Sequence, residues 1–140
     1  MAVQAAVHEK GTFSFLDMLR TVRSKPSFQK AGAITLFIGV VREETKNGER
    51  VRRLELEAQE GEANRVLRRI CSDLREREGV VDVQIHPMLG EFHVGEDLVY
   101  VLVAGSHRKN LFPVLEEALE RYERDTPIFK KEYVMTKEMK

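Results

Sequence analysis

Ala33-Ile34-Thr35-Leu36-Phe37-Ile38-Gly39-Val40-Val41 is an almost continuous apolar run, and the prediction of the fold begins from it. It is rich in β-branched and aromatic side chains and is too short for a typical helix, so we predict a buried strand over residues 33–41. The charged stretch that follows contains Asn47-Gly48, a dipeptide typical of tight turns. A second strand over residues 51–58 is the expected continuation.

Helices and strands alternate along the rest of the chain. Apolar residues at helical spacing predict three helices, with Ser14 and Asn110 as N-caps of the first and third and Gly79 placed to end the second. These helices cover residues 14–22, 62–77 and 110–124. The other strands are predicted over residues 3–8, 80–86, 98–104 and 128–134. Together they predict an α+β fold, a mainly antiparallel sheet packed with about three helices, in a single domain over residues 1–140.

The composition limits the classes of function. Lysine plus arginine and aspartate plus glutamate both number 23, and this balance argues against a nucleic-acid partner, which needs a basic face. No apolar run approaches the roughly 20 residues of a membrane helix, and the first ten residues lack a signal-peptide pattern. Cys71 is the only cysteine and lies on the apolar stripe of the second predicted helix, which favours a core residue in a cytoplasmic protein.

Two polar clusters follow predicted strands, where loops usually present functional groups. Arg42 ends the first strand and can hold a phosphate or carboxylate, although taken alone it is more simply interpreted as a solvated strand end. His107 and Arg108 precede the third helix, whose free N–H groups can add to an anion site. His107 can transfer a proton near neutral pH, or it can simply hydrogen-bond the backbone.

A third cluster is Thr126-Pro127-Ile128-Phe129-Lys130-Lys131-Glu132. Alternation along a strand sends Lys130 and Lys131 to opposite faces, so one of the two is expected to face a cleft. A lysine beside other cations can act as a base or nucleophile, whereas an edge-strand lysine can merely prevent aggregation. The histidines have no metal-ligand spacing, so no metal site is expected. The residues alone predict an α+β domain with a cationic pocket for a small anionic ligand.

Five segments, in order along the chain, resemble the large (catalytic) subunit family of molybdopterin synthase. They are GAITLFIGVVR at 32–42, LELEA at 54–58, HPMLGEFHVGED at 86–97, SHRKNLF at 106–112 and TPIFKKE at 126–132. The resemblance spans most of the chain. The order and spacing of the five segments, and not any single segment, make it specific.

This resemblance implies an α/β hammerhead fold and a homodimer in which each protomer binds one small ubiquitin-like sulfur-carrier subunit, a heterotetramer in all. The implied reaction transfers sulfur from the thiocarboxylate of that subunit to cyclic pyranopterin monophosphate, which forms the dithiolene of molybdopterin. The pterin is the substrate, and no permanently bound cofactor is implied. Lys130 and His107 are the implied catalytic residues, and the substrate-binding candidates are Arg42, His107, Arg108 and Lys131.

One position departs from the family pattern. The family has a second catalytic lysine late in the third helix, where this chain has Glu123. Arg121 and Arg124 lie nearby, but an arginine stays protonated and is a poor base. Two hypotheses therefore stand: a synthase that transfers sulfur, or a non-catalytic paralogue that binds the small-subunit tail or an anionic pterin without turnover. A regulator that binds a small anion without a partner subunit is a third, less favoured hypothesis.

Overall fold

A computed structural model describes residues 5–135 of the chain. Three α-helices, a short 3₁₀ helix and six strands are present in that part of the chain. The helices are α1 Phe15–Ser24, the 3₁₀ helix Pro26–Lys30, α2 Glu60–Arg75 and α3 Arg108–Asp125. The strands are β1 His8–Glu9, β2 Ala33–Val40, β3 Val51–Ala58, β4 Val80–Phe92, β5 Asp97–Gly105 and β6 Ile128–Val134. None of the helices in residues 5–135 is both long and apolar enough to cross a membrane.

The strands form one sheet in the order β2-β5-β4-β3-β6, and all neighbouring pairs along this path are antiparallel. The long strand β4 joins the two halves. It pairs with β5 through residues 80–87, with the short parallel strand β1 through Met88 and Leu89, and with β3 through residues 90–92. Gly90 lies where β4 changes partner, and its φ of 128° is a conformation that a side chain disfavours. The predicted α+β fold with a mainly antiparallel sheet is confirmed.

The core lies between the sheet and the helices α2 and α3, which pack on β4 and β5. α2 is amphipathic and turns one apolar stripe towards the sheet. The buried residues of that stripe are Ala63, Leu67, Ile70, Cys71 and Leu74. β5 is buried over most of its length, as its continuous apolar sequence predicts. α1 contacts the 3₁₀ helix, which in turn contacts β4 and β5, and Met18 and Val22 of α1 are buried.

The prediction that residues 33–41 form a buried strand is right about the strand and wrong about its burial. Within residues 5–135, β2 is the last strand of the sheet and pairs only with β5. Phe37 and Ile38 are each 38% exposed and Val40 is 46% exposed. An apolar run does not distinguish a strand covered by its own chain from one whose cover comes from another molecule.

The predicted helix starts need correction at both long helices. α2 begins and ends two residues earlier than predicted. α3 begins at Arg108 with His107 as its N-cap, because the side chain of Asn110, the predicted cap, instead donates to the Glu78 carbonyl at 3.0 Å. Pro113 consequently lies in the second turn of α3 and not in the first.

The start of the chain was predicted less well than the rest. Ser14 caps α1 as predicted, with its hydroxyl accepting from the Leu16 N–H. Leu16, one of the apolar residues at helical spacing that indicated α1, is exposed, whereas Met18 is buried. Residues 3 and 4 of the strand predicted over 3–8 lie outside the described residues, and the strand present after them is the short β1.

A row of buried polar side chains runs along one face of β4. Gln84 bridges the row, since its Nε2 donates to Asp82 Oδ2 at 2.8 Å and its Oε1 lies 3.0 Å from His86 Nε2. At one end Asp82 receives Arg75 at 3.0 Å and Lys25 at 2.8 Å. Burial raises the pKa of Asp82, but hydrogen bonds from Lys25 and Gln84 and the charge of Arg75 outweigh it, so the pKa lies below its usual value.

At the other end of the row, His86 Nδ1 lies 2.9 Å from His8 Nε2, and Phe13 stacks on both imidazole rings at 4.2 Å. The row therefore fastens the segment before α1 to the middle of the sheet. Burial lowers the pKa of His86 to about 3, and the neighbouring His8 acts in the same direction. Burial also lowers the pKa of His8.

We expect this row to make the stability depend on pH. The unfolded chain binds a proton at His86 near the ordinary histidine pKa of 6.5 and the folded chain only near 3, so between these values the unfolded state holds more protons. The free energy of unfolding therefore falls by up to about 1.4 kcal/mol for each pH unit below about 6.5. Urea titrations between pH 7 and 5 will measure this slope.

The matched variants are His86→Gln, which should reduce the slope, and His93→Gln, which removes an exposed histidine outside the row and should change the slope less. An equal slope in the wild type and the His86 variant would contradict the assignment.

Candidate functional site

A cleft of about 540 Å³ opens where β2 ends, between the loop after it and the strands β3 and β6. We call it the Arg42–Lys130 cleft. Its apolar wall includes Val41, Val51 and Leu54, which are buried. Its charged side chains are Arg42, Glu44, Lys46, Lys130 and Glu132. Three cations against two carboxylates over an apolar wall suit an anionic ligand.

Arg42 reaches this cleft because the residue before it is fixed. The Val41 N–H donates to the Glu96 carbonyl at 3.0 Å, and the Val41 carbonyl accepts from the Gly95 N–H at 2.9 Å. The register of β2 on β5 shifts between Gly39 and Val40, just before these bonds. The chain therefore leaves the sheet immediately after a buried anchor, and the exposed guanidinium of Arg42 projects from that point.

Lys130 and Lys131 lie on opposite faces of β6, as alternation predicts. Lys130 lines the cleft, and its Nζ lies 3.8 Å from Glu132 Oε1. The Lys131 Nζ lies 5.0 Å from the centre of the Tyr133 ring, and the Tyr133 hydroxyl donates to Glu55 at 3.1 Å. Of the two lysines, Lys130 is therefore the one positioned to meet a ligand in the cleft.

A second cleft, of about 800 Å³, lies where β5 ends and α3 begins. We call it the His107 cleft. His107 and Arg108 line it with Lys109, and all three side chains are exposed. The start of α3 is braced from outside the helix, because the Ser106 N–H donates to the Gly79 carbonyl at 2.8 Å. The helix has no acidic residue in its first turn, so its positive end adds to the charges of Arg108 and Lys109, which are opposed in the lining by Glu78.

The two clefts lie at opposite ends of β2 within one chain. Ala33 borders the His107 cleft and Val40 borders the Arg42–Lys130 cleft. Seven steps of about 3.3 Å along a strand separate these two residues by roughly 23 Å. The structure thus brings Arg42 and Lys130 together and keeps His107 and Arg108 apart from them.

Glu123 lines neither of these two clefts and is exposed near the end of α3. Two nearby arginines could supply the positive charge that a lysine at this position would provide, but both pair with other residues. Arg121 pairs with Asp73 at 2.9 Å and Arg124 with Asp125 at 2.8 Å. The Arg42–Lys130 cleft therefore receives no cation from this end of the helix.

Lys46 is the cation of this cleft that sequence reasoning missed. It follows Thr45 in the turn around Asn47-Gly48, and that turn was identified only as a connection between strands. Its position four residues after Arg42 is the signal that could have found it, because a tight turn folds back towards the residues that precede it.

Two interpretations from the sequence concern side chains outside these clefts. Cys71 is fully buried, as predicted for a core residue, and burial raises the pKa of its thiol to about 12. Residues 5–135 contain no group of three or more histidine, cysteine, aspartate or glutamate side chains arranged to hold a metal ion.

The chain is similar to one protein family and to several known proteins. The family described as MoaE protein matches residues 9–124. The molybdopterin synthase catalytic subunit of Bacillus subtilis is 41% identical over 104 residues, which cover 74% of this chain and 66% of that protein. A probable molybdopterin synthase of Haloferax volcanii is 34% identical over 116 residues, which cover 82% of this chain and 44% of that protein. The chain thus spans about half to two thirds of the length of these relatives.

Solved structures show the same fold. The crystal structure of molybdopterin synthase from Staphylococcus aureus matches with a TM-score of 0.81 and 27% identity, over 96% of this chain and 94% of that chain. A complex of subunits 1 and 2 of molybdopterin-converting factor from Helicobacter pylori matches with a TM-score of 0.73, over 97% of this chain and 88% of that chain. At 21% identity the second likeness shows the fold alone. The α/β hammerhead expected from the sequence resemblance is confirmed.

The brace at the start of α3 depends on close backbone contact at Gly32, and we expect Gly32→Ala to disturb it. The Gly32 N–H donates to the Gly105 carbonyl, and a Cβ atom at Gly32 would overlap the Ser106 carbonyl. Thermal or urea denaturation should show a loss of about 1–3 kcal/mol in the free energy of unfolding.

Gly61→Ala is the matched control. A Cβ atom at Gly61 meets nothing within 4 Å, and this glycine lies in α2, so alanine there should leave the stability unchanged or raise it by up to about 1 kcal/mol. Equal effects of the two substitutions would show that the contact at Gly32 is not tight.

Proposed function

This chain belongs to the MoaE protein family, and from that membership we propose that it is the catalytic subunit of a molybdopterin synthase. The proposed reaction is sulfur transfer from the thiocarboxylate of a small ubiquitin-like subunit to cyclic pyranopterin monophosphate, with formation of the molybdopterin dithiolene. The observation that carries the proposal is the Arg42–Lys130 cleft, in which cations from separate elements meet over an apolar wall. Both reactants are anions, and such a cleft holds two anions together against their repulsion.

The properties of the single cysteine also support a partner subunit as the source of the sulfur. Cys71 is the only cysteine, it is fully buried, and burial holds its thiol neutral with a pKa of about 12. A buried neutral thiol is a poor nucleophile, so this chain offers no reactive thiol of its own. We propose that its residues bind and orient, with Arg42 on an anionic group and Lys130 beside the reacting atoms as the proton-transferring or covalent residue.

A homodimer would unite the two clefts. β2 is an edge strand with exposed apolar side chains, and an unpaired edge of this kind is suited to pair with another strand. We propose that β2 pairs antiparallel with β2 of a second copy across a two-fold axis. Such pairing sets the Ala33 end of one strand beside the Val40 end of the other. His107 and Arg108 of one protomer then lie near Arg42 and Lys130 of its neighbour.

The runner-up function is a binding module that captures the small-subunit tail or an anionic pterin without turnover. Glu123 is the observation that favours it, because the helix lysine of the family is absent and neither Arg121 nor Arg124 enters the cleft. The two functions differ in product: the synthase forms a dithiolene, and the binding module holds both reactants unchanged.

The test of the function is reconstitution with a thiocarboxylated small subunit and cyclic pyranopterin monophosphate, with the dithiolene product measured. Loss of a proton-transferring residue usually slows a reaction by about 10²–10⁴-fold, and we expect Lys130→Ala to slow product formation to that degree. Lys131→Ala is the matched control, since this neighbouring lysine faces Tyr133 and should keep most of the activity.

Equal losses in both lysine variants would refute the assignment of Lys130. Binding of both reactants by the wild type without product would establish the runner-up function.

The proposed dimer predicts complementation between inactive variants. Arg42→Ala and His107→Ala should each be nearly inactive alone. When mixed and allowed to exchange, half of the dimers contain one chain of each kind, and each of these has one intact site of two. About one quarter of wild-type activity should therefore return, as expected for sites shared across a two-fold axis.

Ile38→Asp on the exposed edge should yield monomers in analytical ultracentrifugation, and Leu16→Asp, an exposed apolar residue of α1, should not. Mixed variants that stay inactive while exchanging subunits would refute a shared site.

A further inference from the structure

The Arg42–Lys130 cleft carries one cation that the proposed function has not yet used. Lys46 lines the cleft from the loop between β2 and β3. Lys130 has a carboxylate at 3.8 Å, but within residues 5–135 the ammonium group of Lys46 forms no ion pair and no side-chain hydrogen bond. A lysine on a turn is often only solvated, so the role of Lys46 depends on how firmly the turn holds it.

The turn that carries Lys46 is closed by several hydrogen bonds. The Thr45 N–H donates to the Glu49 carbonyl at 2.8 Å, and the Thr45 carbonyl accepts from the Gly48 N–H at 3.0 Å. The Thr45 hydroxyl oxygen also accepts from the Asn47 and Glu49 N–H groups, each at 3.2 Å. Gly48 has a φ of 82°, a conformation that glycine adopts without strain. Lys46 therefore projects from a backbone that is already ordered.

The base of the loop is fixed as well. The Val51 N–H donates to the Glu43 carbonyl at 2.8 Å, and Arg50 pairs with the Glu43 carboxylate at 2.8 Å. Thr45 and Lys46 thus lie in a short hairpin that begins directly after Arg42. An ordered loop loses less entropy when it binds a ligand, so its lysine contributes more to affinity than one on a mobile chain.

We propose that Lys46 binds the phosphate group of the pterin substrate, together with Arg42, and so acts as a further substrate-binding residue of this chain. The inference rests on the proposed function, because it assigns a ligand to the same cleft. A phosphate presents several acceptor oxygens and can be shared by cations from different elements. Arg42 and Lys46 project from the two ends of one short segment, four residues apart, whereas Lys130 approaches from β6.

The experiment compares steady-state kinetics of the reconstituted enzyme carrying Lys46→Ala, Lys46→Arg or Lys30→Ala. Removal of one charge-assisted hydrogen bond made equally in the bound and transition states should raise the KM for the pterin by about tenfold and leave kcat nearly unchanged. Lys46→Arg should restore most of the affinity. Lys30 lies on the 3₁₀ helix, outside both clefts, and its loss should change neither constant.

A direct binding measurement separates this inference from the proposed function. Titration with inorganic phosphate alone, followed by NMR shifts of the amides around Thr45, should show weaker binding in Lys46→Ala than in Lys30→Ala. This result would stand even if the wild type formed no dithiolene. Equal phosphate binding in the two variants would overturn the proposal. An increase in the KM for the small subunit without one for the pterin would also overturn it, because Lys46 would then contact the tail.

Discussion

The rest of the structure depends on the hydrogen bonding of β4. This one strand pairs with β5 over its first half, with β1 in its middle and with β3 at its end. The end of β5 positions the start of α3 and so His107, while β3 carries β6 and so Lys130. A shift of one residue in the register of β4 would turn its side chains to the opposite faces and separate the residues of both clefts from their supports.

The polar row along β4 fixes a part of the molecule that apolar packing alone would hold weakly. Burying Asp82 costs free energy, and two cations and a glutamine amide offset that cost. Each member needs a specific partner, so the row accepts a single arrangement of the segments that carry Lys25, Arg75 and His8. None of its members lines either cleft, and its role in the molecule is to order the segment before α1 and to join α2 to the sheet.

Much of this fold could be predicted from the sequence, because apolar periodicity and turn chemistry report local structure. The three helices, the strands β2, β3, β5 and β6 and the first half of β4 follow from such patterns. The continuation of β4 over residues 87–92, which pairs with β1 and β3, was not predicted. The burial of β2 could not be predicted, since it depends on which strand occupies the edge. The cap of α3 was misassigned because Asn110 has a competing partner, the Glu78 carbonyl, that is distant along the chain.

The candidate site could likewise be predicted only in part. Motifs found Arg42, Lys130, His107 and Arg108, but no local pattern shows that roughly 23 Å of strand separates the two pairs. The choice between Lys130 and Lys131 required the register of β6 on β3, which pairs Lys130 with Leu56 and Lys131 with Glu55.

The burial of Cys71 has a practical consequence for spectroscopy. Its sulfur is out of contact with solvent, and the high pKa leaves almost no thiolate to react with maleimides or spin labels near neutral pH. A cysteine introduced on the surface would therefore be the only reactive thiol in the folded chain. Fluorophores or nitroxides can be attached at a chosen loop without first removing the native residue. Distances between labelled copies, measured by energy transfer or electron spin resonance, would then report how two chains are arranged in solution.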